Sequence, residues 1–296
     1  MVLPLTGAKT ERKEAKMTRT PRNKRVKGYT RMVLTERDRE IIRAVHENRF
    51  LRRDQIERLF FSTTAAANAR LLLLFQHHFL DRLYLPVAVG SSQAVYALDR
   101  EGARLVAHDD HLHLSQVTWK RKHNRVEFFF LEHTVAVSEL HVVLEVASRV
   151  RDDVMVTEWK REGFLTREKL YDPEDDDRRL FVSPDAYFVL AVPGGSMYSF
   201  VEVDLGTETL ERFRRKIRAY QEYYRTGRYE ERYDHHSFRV LTVGESAGRL
   251  ANLIEVAHEE GAGKMFLFGM ASQISASAFG PVWFHPGSLD PSSLLD

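Results

Sequence analysis

The chain has 296 residues, of which 43% are apolar, 29% are charged and none is cysteine. That length suits one large or two modest domains with buried cores, and the lack of cysteine excludes a disulfide framework, a thiolate metal site and a cysteine nucleophile, which fits a reducing, cytoplasmic setting. No apolar run approaches the ~20 residues needed to cross a bilayer, so no membrane partner is expected.

The formal charge of +2 is unevenly spread: residues 1–31 hold ten Lys or Arg against Glu11 and Glu14, leaving +8 there and −6 in the remainder. Residues 1–33 show no hydrophobic period and include Pro21 and Gly28. They read as a disordered basic arm of the kind that follows a phosphate backbone. Order begins at Leu34. Thr35, with Asp38 three residues on, signals a helix start, and Ile41, Ile42 and Val45 form its apolar stripe. A second, short helix is predicted over 54–61 and a third from Ser62 through Leu74. Two extended runs, 83–87 and 94–98, flank the turn signal Gly90-Ser91-Ser92 and read as a β-hairpin.

Three helices and a hairpin over 34–110 have the order of a winged helix-turn-helix. In that fold the third helix enters the major groove of double-stranded DNA. Ala67, Leu71, Leu74 and Phe75 would then pack inward, leaving Thr63, Thr64, Asn68 and Arg70 to meet base edges and phosphates. The competing reading of these four is a solvated face on a module that docks protein.

After a short closing helix over 100–107, His108, His111 and His113 fall within six residues with Asp109 and Asp110, without helical or strand spacing. This is read as a polar linker, with the domain boundary between 108 and 122. The second domain, 122–270, opens with a long helix over 125–149 striped by Phe128, Leu131, Val135, Val142 and Val146. Glu139 lies on that buried face. His133, in line with Phe130, Val137 and Leu140, reads first as a hydrogen-bonded core histidine. A strand over 154–159 follows, then an acidic stretch, 172–177, read as a solvated loop.

The stretch 183–220 carries the chemistry. Asp185 opens one strand after Pro184, while Glu202 and Asp204 lie two apart on the next and so leave the same face of the pleat. A turn at Gly194-Gly195 would bring Asp185 beside that pair. Carboxylates so grouped repel unless a proton or cation lies between them, which points to a metal. Lys216, at the edge of the Leu210, Phe213, Ile217, Tyr220 stripe of the next helix, can lean back toward them. A strand over 238–243, a helix over 247–258 and a strand over 264–270 complete an α/β domain with a mixed sheet. Residues 271–296 read as an irregular strap in which Trp283 and Phe284 pack. The fold class is α+β.

Pro184-Asp185 followed by Glu202-Val203-Asp204 on the next strand, in this order of elements, resembles the PD-(D/E)XK nuclease superfamily. More narrowly, the winged N-terminus joined to Glu202-Val203-Asp204-Leu205-Gly206-Thr207-Glu208, with Lys216 and Tyr220 beyond, is similar to the replication-relaxation family over roughly 34–270. The resemblance implies a nuclease-like second domain and a role in plasmid replication, DNA relaxation or mobilisation beside a relaxase or replication initiator. It also implies that Asp185 and Glu202 hold Mg²⁺ or Mn²⁺, with Glu139 completing the shell. Asp204 would be an extra ligand or base, and Lys216 would steady a phosphate or hydroxide. The chain departs from the nuclease motif at Asp204, where a lysine is expected, so the charge would come from Lys216. Two functions follow: a DNA-binding accessory factor of a mobile element, or a metal-dependent nickase or endonuclease. A transcriptional regulator is a third.

Overall fold

A computed structural model describes residues 24–85, 92–117, 119–173 and 175–296, apart from the side chains of 175–178. Most of the basic arm and the expected wing turn at Gly90-Ser91 lie outside the described residues.

The first unit comprises α1 (Glu36–Asn48), β1 (Phe50–Arg52), α2 (Arg53–Phe60), α3 (Thr64–Gln76), β2 (Leu80–Tyr84), β3 (Ala94–Leu98) and α4 (Arg100–Asp109). The Thr35 N–H and hydroxyl both donate to Asp38 Oδ2, at 2.6 and 2.7 Å, which fixes the start of α1. Thr63 caps α3, its hydroxyl accepting from the Ala66 N–H at 3.3 Å. Ile41, Ile42, Val45, Ala67, Leu71 and Leu74 are fully buried between the helices. The strands pair antiparallel in the order β1-β3-β2. At three residues, β1 is too short to show a period of two. Residues 24–33, read as disordered, instead lie along this unit. Arg25 donates to Phe75 O and Asp99 Oδ2, both at 2.7 Å, with its guanidinium over the Phe75 ring.

The second unit runs α5 (Phe128–Ser148), β4 (Met155–Arg161), β5 (Glu168–Asp172), β6 (Asp175–Val182), β7 (Ala186–Val192), β8 (Gly195–Asp204), α6 (Leu210–Arg225), α7 (Arg228–Tyr233), β9 (Arg239–Gly244), α8 (Ala247–Glu259), β10 (Phe266–Met270), α9 (Ala271–Ala276) and β11 (Trp283–Phe284). Its mixed six-stranded sheet has the order β11-β10-β9-β8-β7-β4, with β8, β9 and β10 parallel. Alternation along β8 assigns the two faces. Phe200 joins Val240 and Phe268 against Phe213, Ile217, Leu250 and Leu253 of α6 and α8, while Val201 and Val203 join Leu241 and Leu267 against Leu140 and Leu144 of α5. The turn into β8 needs Gly194, whose φ of 88° is disfavoured for other residues.

Two expectations about this unit change. The acidic stretch read as a solvated loop is part of a β5–β6 hairpin, in which Leu170, Leu180 and Val182 are buried against the α6 side of the core. The C-terminal strap includes α9 and β11, with Trp283 wholly buried in the α5-side core. The two units also share α5: Val142 enters the first core, whereas Val137, Leu140 and Leu144 enter the second.

Candidate functional site

Pleat parity sends Glu202 from β8 toward α6, where Lys216 and Tyr220 lie one helical turn apart. Lys216 Nζ donates to Glu202 Oε2 at 2.8 Å, and the Tyr220 hydroxyl donates to Glu202 Oε1 at 2.6 Å. Glu208 Oε2 stands 3.1 Å from the same ammonium. Glu202 is only 4% exposed, and burial pushes its carboxyl up to about 7 even though Lys216 pulls the other way. Burial alone would lower the Lys216 ammonium, but Glu202, Asp185 and Glu208 outweigh it and hold the group above its usual range.

Asp185 sits in the loop just before β7, its backbone N–H bonded to Val201 O at 3.0 Å. Its Oδ2 accepts from the Val203 N–H at 2.8 Å and lies 3.3 Å from His133 Nε2 of α5. His133 Nε2 also reaches Val203 O at 3.1 Å. Burial disfavours the imidazolium, but the Asp185 carboxylate and the Val203 carbonyl prevail and raise His133 to about 8. Asp185, Glu202, Lys216 and Tyr220 line one cleft of about 510 Å³, whose rim also carries Arg167, Arg179, Arg212 and Arg215. Five basic side chains there outnumber the acids Glu162, Asp185 and Glu202, so the cleft favours an anion.

A model of the replication-relaxation family matches residues 42–237, from within α1 to just past α7. The chain belongs to the replication-relaxation family. The matched region holds the first unit from residue 42 onward as well as Asp185, Glu202 and Lys216. Membership ties the chain to the replication and relaxation functions that give the family its name. No curated protein and no solved structure matches the chain.

The remaining expected site residues of this replication-relaxation protein fall elsewhere. Asp204 leaves the same face as Glu202 but is taken by Arg249 of α8, at 3.0 and 2.7 Å, and by the Gly206 N–H at 2.8 Å. Glu139 is not brought to the cleft. It faces the first unit, where it accepts from Arg58 at 2.6 and 2.7 Å, from Gln55 at 2.9 Å and from Arg52 at 3.3 Å. Among the described residues no group of three or more His, Asp or Glu side chains is placed to hold a metal. As folded, the pair Asp185 and Glu202 does not fit a resident Mg²⁺ or Mn²⁺. Both Glu202 oxygens and Asp185 Oδ2 already accept hydrogen bonds, and an ammonium sits where a second cation would be repelled.

On α3, Thr63, Thr64 and Asn68 are exposed. Thr64 Oγ1 donates to Glu57 Oε1 at 2.6 Å. Arg70 is tied down: its guanidinium is paired with the fully buried Asp38 and donates to Val33 O at 2.8 Å. In the histidine-rich stretch, His108 and Asp109 form the end of α4, and Asp109 and Asp110 pair with Arg39 and Arg43 of α1 at 2.8 and 2.7 Å. Sequence reasoning missed His133 as the partner of Asp185 and Arg249 as the partner of Asp204. The alignment of His133 with the α5 stripe placed it toward the sheet but could not name Asp185.

Proposed function

We propose that this replication-relaxation protein is a DNA-binding accessory factor of plasmid or mobile-element replication, relaxation or mobilisation, engaging double-stranded DNA through a winged helix-turn-helix. The observation that carries the reading is α3. It has no acidic residue along its length, and it leaves Thr63, Thr64 and Asn68 exposed around its N-terminal end, where a recognition helix meets base edges. A relaxase or replication initiator is the protein partner this role calls for. No helix among the described residues is long and apolar enough to cross a membrane.

Fluorescence anisotropy against duplexes enriched from a random library tests the reading. Asn68→Ala should weaken binding to the enriched sequence by roughly tenfold, the scale of one lost bidentate base contact, while non-specific duplex affinity and its salt slope hold steady. Unchanged binding to every duplex would remove α3 from the groove.

The alternative of a metal-dependent nickase or endonuclease has one observation in its favour, the convergence of Asp185, Glu202 and Lys216 on a cationic cleft. It requires Lys216 to release Glu202. Supercoiled plasmid incubated with the protein and Mg²⁺ or Mn²⁺ decides it: relaxed circles lost in both Asp185→Ala and Lys216→Ala support nicking, and unchanged topology despite binding rejects it.

A further inference from the structure

We propose that the outward face of the β5–β6 hairpin binds single-stranded DNA at the mouth of the Glu202 cleft, a reading that rests on the nucleic-acid function above. Register decides which side chains share that face. Lys169 stands opposite Phe181 and Tyr171 opposite Arg179, so these four leave one side of the hairpin, while Leu170, Leu180 and Val182 lie buried on the other. Basic and aromatic residues therefore alternate on a surface whose rings are not needed by the core.

Each ring carries a cation. The guanidinium carbon of Arg179 lies 3.9 Å from the Tyr171 ring centroid, and that of Arg167 lies 3.9 Å from the Phe181 centroid. The rings nonetheless stay accessible, Tyr171 at 61% and Phe181 at 38%. Flat aromatic and guanidinium surfaces of this kind take unstacked bases of any sequence, whereas duplex bases are already stacked on one another. Diagonal positions on an antiparallel pair lie ~7 Å apart, so neighbouring bases of an unstacked strand can each reach one ring.

The same residues lead into the cleft. Arg167, Arg179 and Phe181 line it together with Arg212 and Arg215 of α6. Arg212 and Arg215 keep 72% and 51% of their side chains exposed, with Glu208 at 3.1 Å from the first and Glu211 at 3.9 Å from the second. They are placed to meet phosphates of a strand whose bases rest on the hairpin.

Anisotropy with fluorescein-labelled oligo(dT), run in parallel with the enriched duplex, tests the site. Wild type should bind oligo(dT), and Tyr171→Ala and Phe181→Ala should each weaken it by roughly five- to a hundredfold, the range for one lost base stack. Tyr171→Phe, which keeps the ring, should stay within about twofold of wild type, and all three variants should keep duplex affinity and melting temperature. Failure of wild type to bind oligo(dT), or alanine variants that bind it like wild type, overturns the inference and leaves the duplex reading standing. Oligo(dT) binding that depends on these rings in a protein with no duplex affinity does the reverse.

Discussion

Lys216→Met should destabilise the protein in a manner that depends on pH. Glu202 accepts from Lys216 at 2.8 Å and from Tyr220 at 2.6 Å. The substitution removes the cation and leaves a carboxyl group, on a residue 4% exposed, without it. Breaking a buried pair costs about 3–5 kcal/mol. Lys216 keeps 28% of its side chain exposed, so water screens part of this, and about 2–3 kcal/mol is expected at pH 8.

The sign follows from the carboxyl. Its folded pKa, about 7, lies above the ordinary 4.5, so its contribution is fully present below 4.5 and is lost as pH rises through 7. Without Lys216 the folded carboxyl holds its proton to still higher pH. At pH 5 it is neutral in both proteins and the deficit should be under ~1 kcal/mol. One unit above 7 the wild type ionises against Lys216 and the variant does not, which adds about 1.4 kcal/mol. Urea unfolding at pH 5 and pH 8 measures both deficits, and the melting temperature at pH 8 should fall by roughly 5–10 °C. The double variant Glu202→Gln/Lys216→Met, neutral at both positions, should recover most of the loss. Equal deficits at the two pH values would refute the assignment of Lys216 as the group that neutralises Glu202.

His133 should titrate near 8 by NMR, and Asp185→Asn should bring it down toward 6.5 by removing the carboxylate. Because the folded pKa is the higher one, its stabilisation is complete below 6.5 and disappears as pH rises through 8; His133→Gln should abolish that component of the stability profile. Arg70→Ala should cost about 3 kcal/mol in urea unfolding, since Asp38 is fully buried and Arg70 is its cation; a stable variant that had lost only DNA affinity would contradict that pairing. Gly102→Ala should cost more than about 2 kcal/mol, because a Cβ there would lie 2.2 Å from Phe79 O, a backbone atom that cannot swing away.

Local periodicity made much of this legible. Two positions on β8 share a face wherever the strand goes, a turn at Gly194 brings Asp185 alongside, and the α6 stripe turns Lys216 toward the sheet. Those statements need only neighbouring elements. Asp204 lay beyond that reach: its partner, Arg249, is 45 residues further on, and nothing in the strand announces it. Glu139 was read as facing the second core, but it is half-buried against α2 of the first unit; α5 has two packed sides, and the sequence does not say which core a given side meets. The β5–β6 hairpin was hidden for a different reason: the acids between Asp172 and Asp177 dominate the composition there, and the strand period lies in Leu170, Leu180 and Val182 to either side. His133 looked like a core histidine because its partners, Asp185 and the Val203 carbonyl, arrive through the sheet and not through α5.

The sharing of α5 bears on how force passes through the molecule. This helix of 21 residues, about 30 Å long at 1.5 Å per residue, is gripped on two sides. Ser138 Oγ reaches Phe50 O at 2.9 Å and His141 Nδ1 reaches Asn48 Oδ1 at 2.9 Å on one side, while Leu140 and Leu144 are wedged under the sheet on the other. It works as an axle without a joint. If a duplex is held at α3 and an unpaired strand at the hairpin, the offset between them is set by the protein, and the bending or untwisting needed to bridge it must be borne by the nucleic acid.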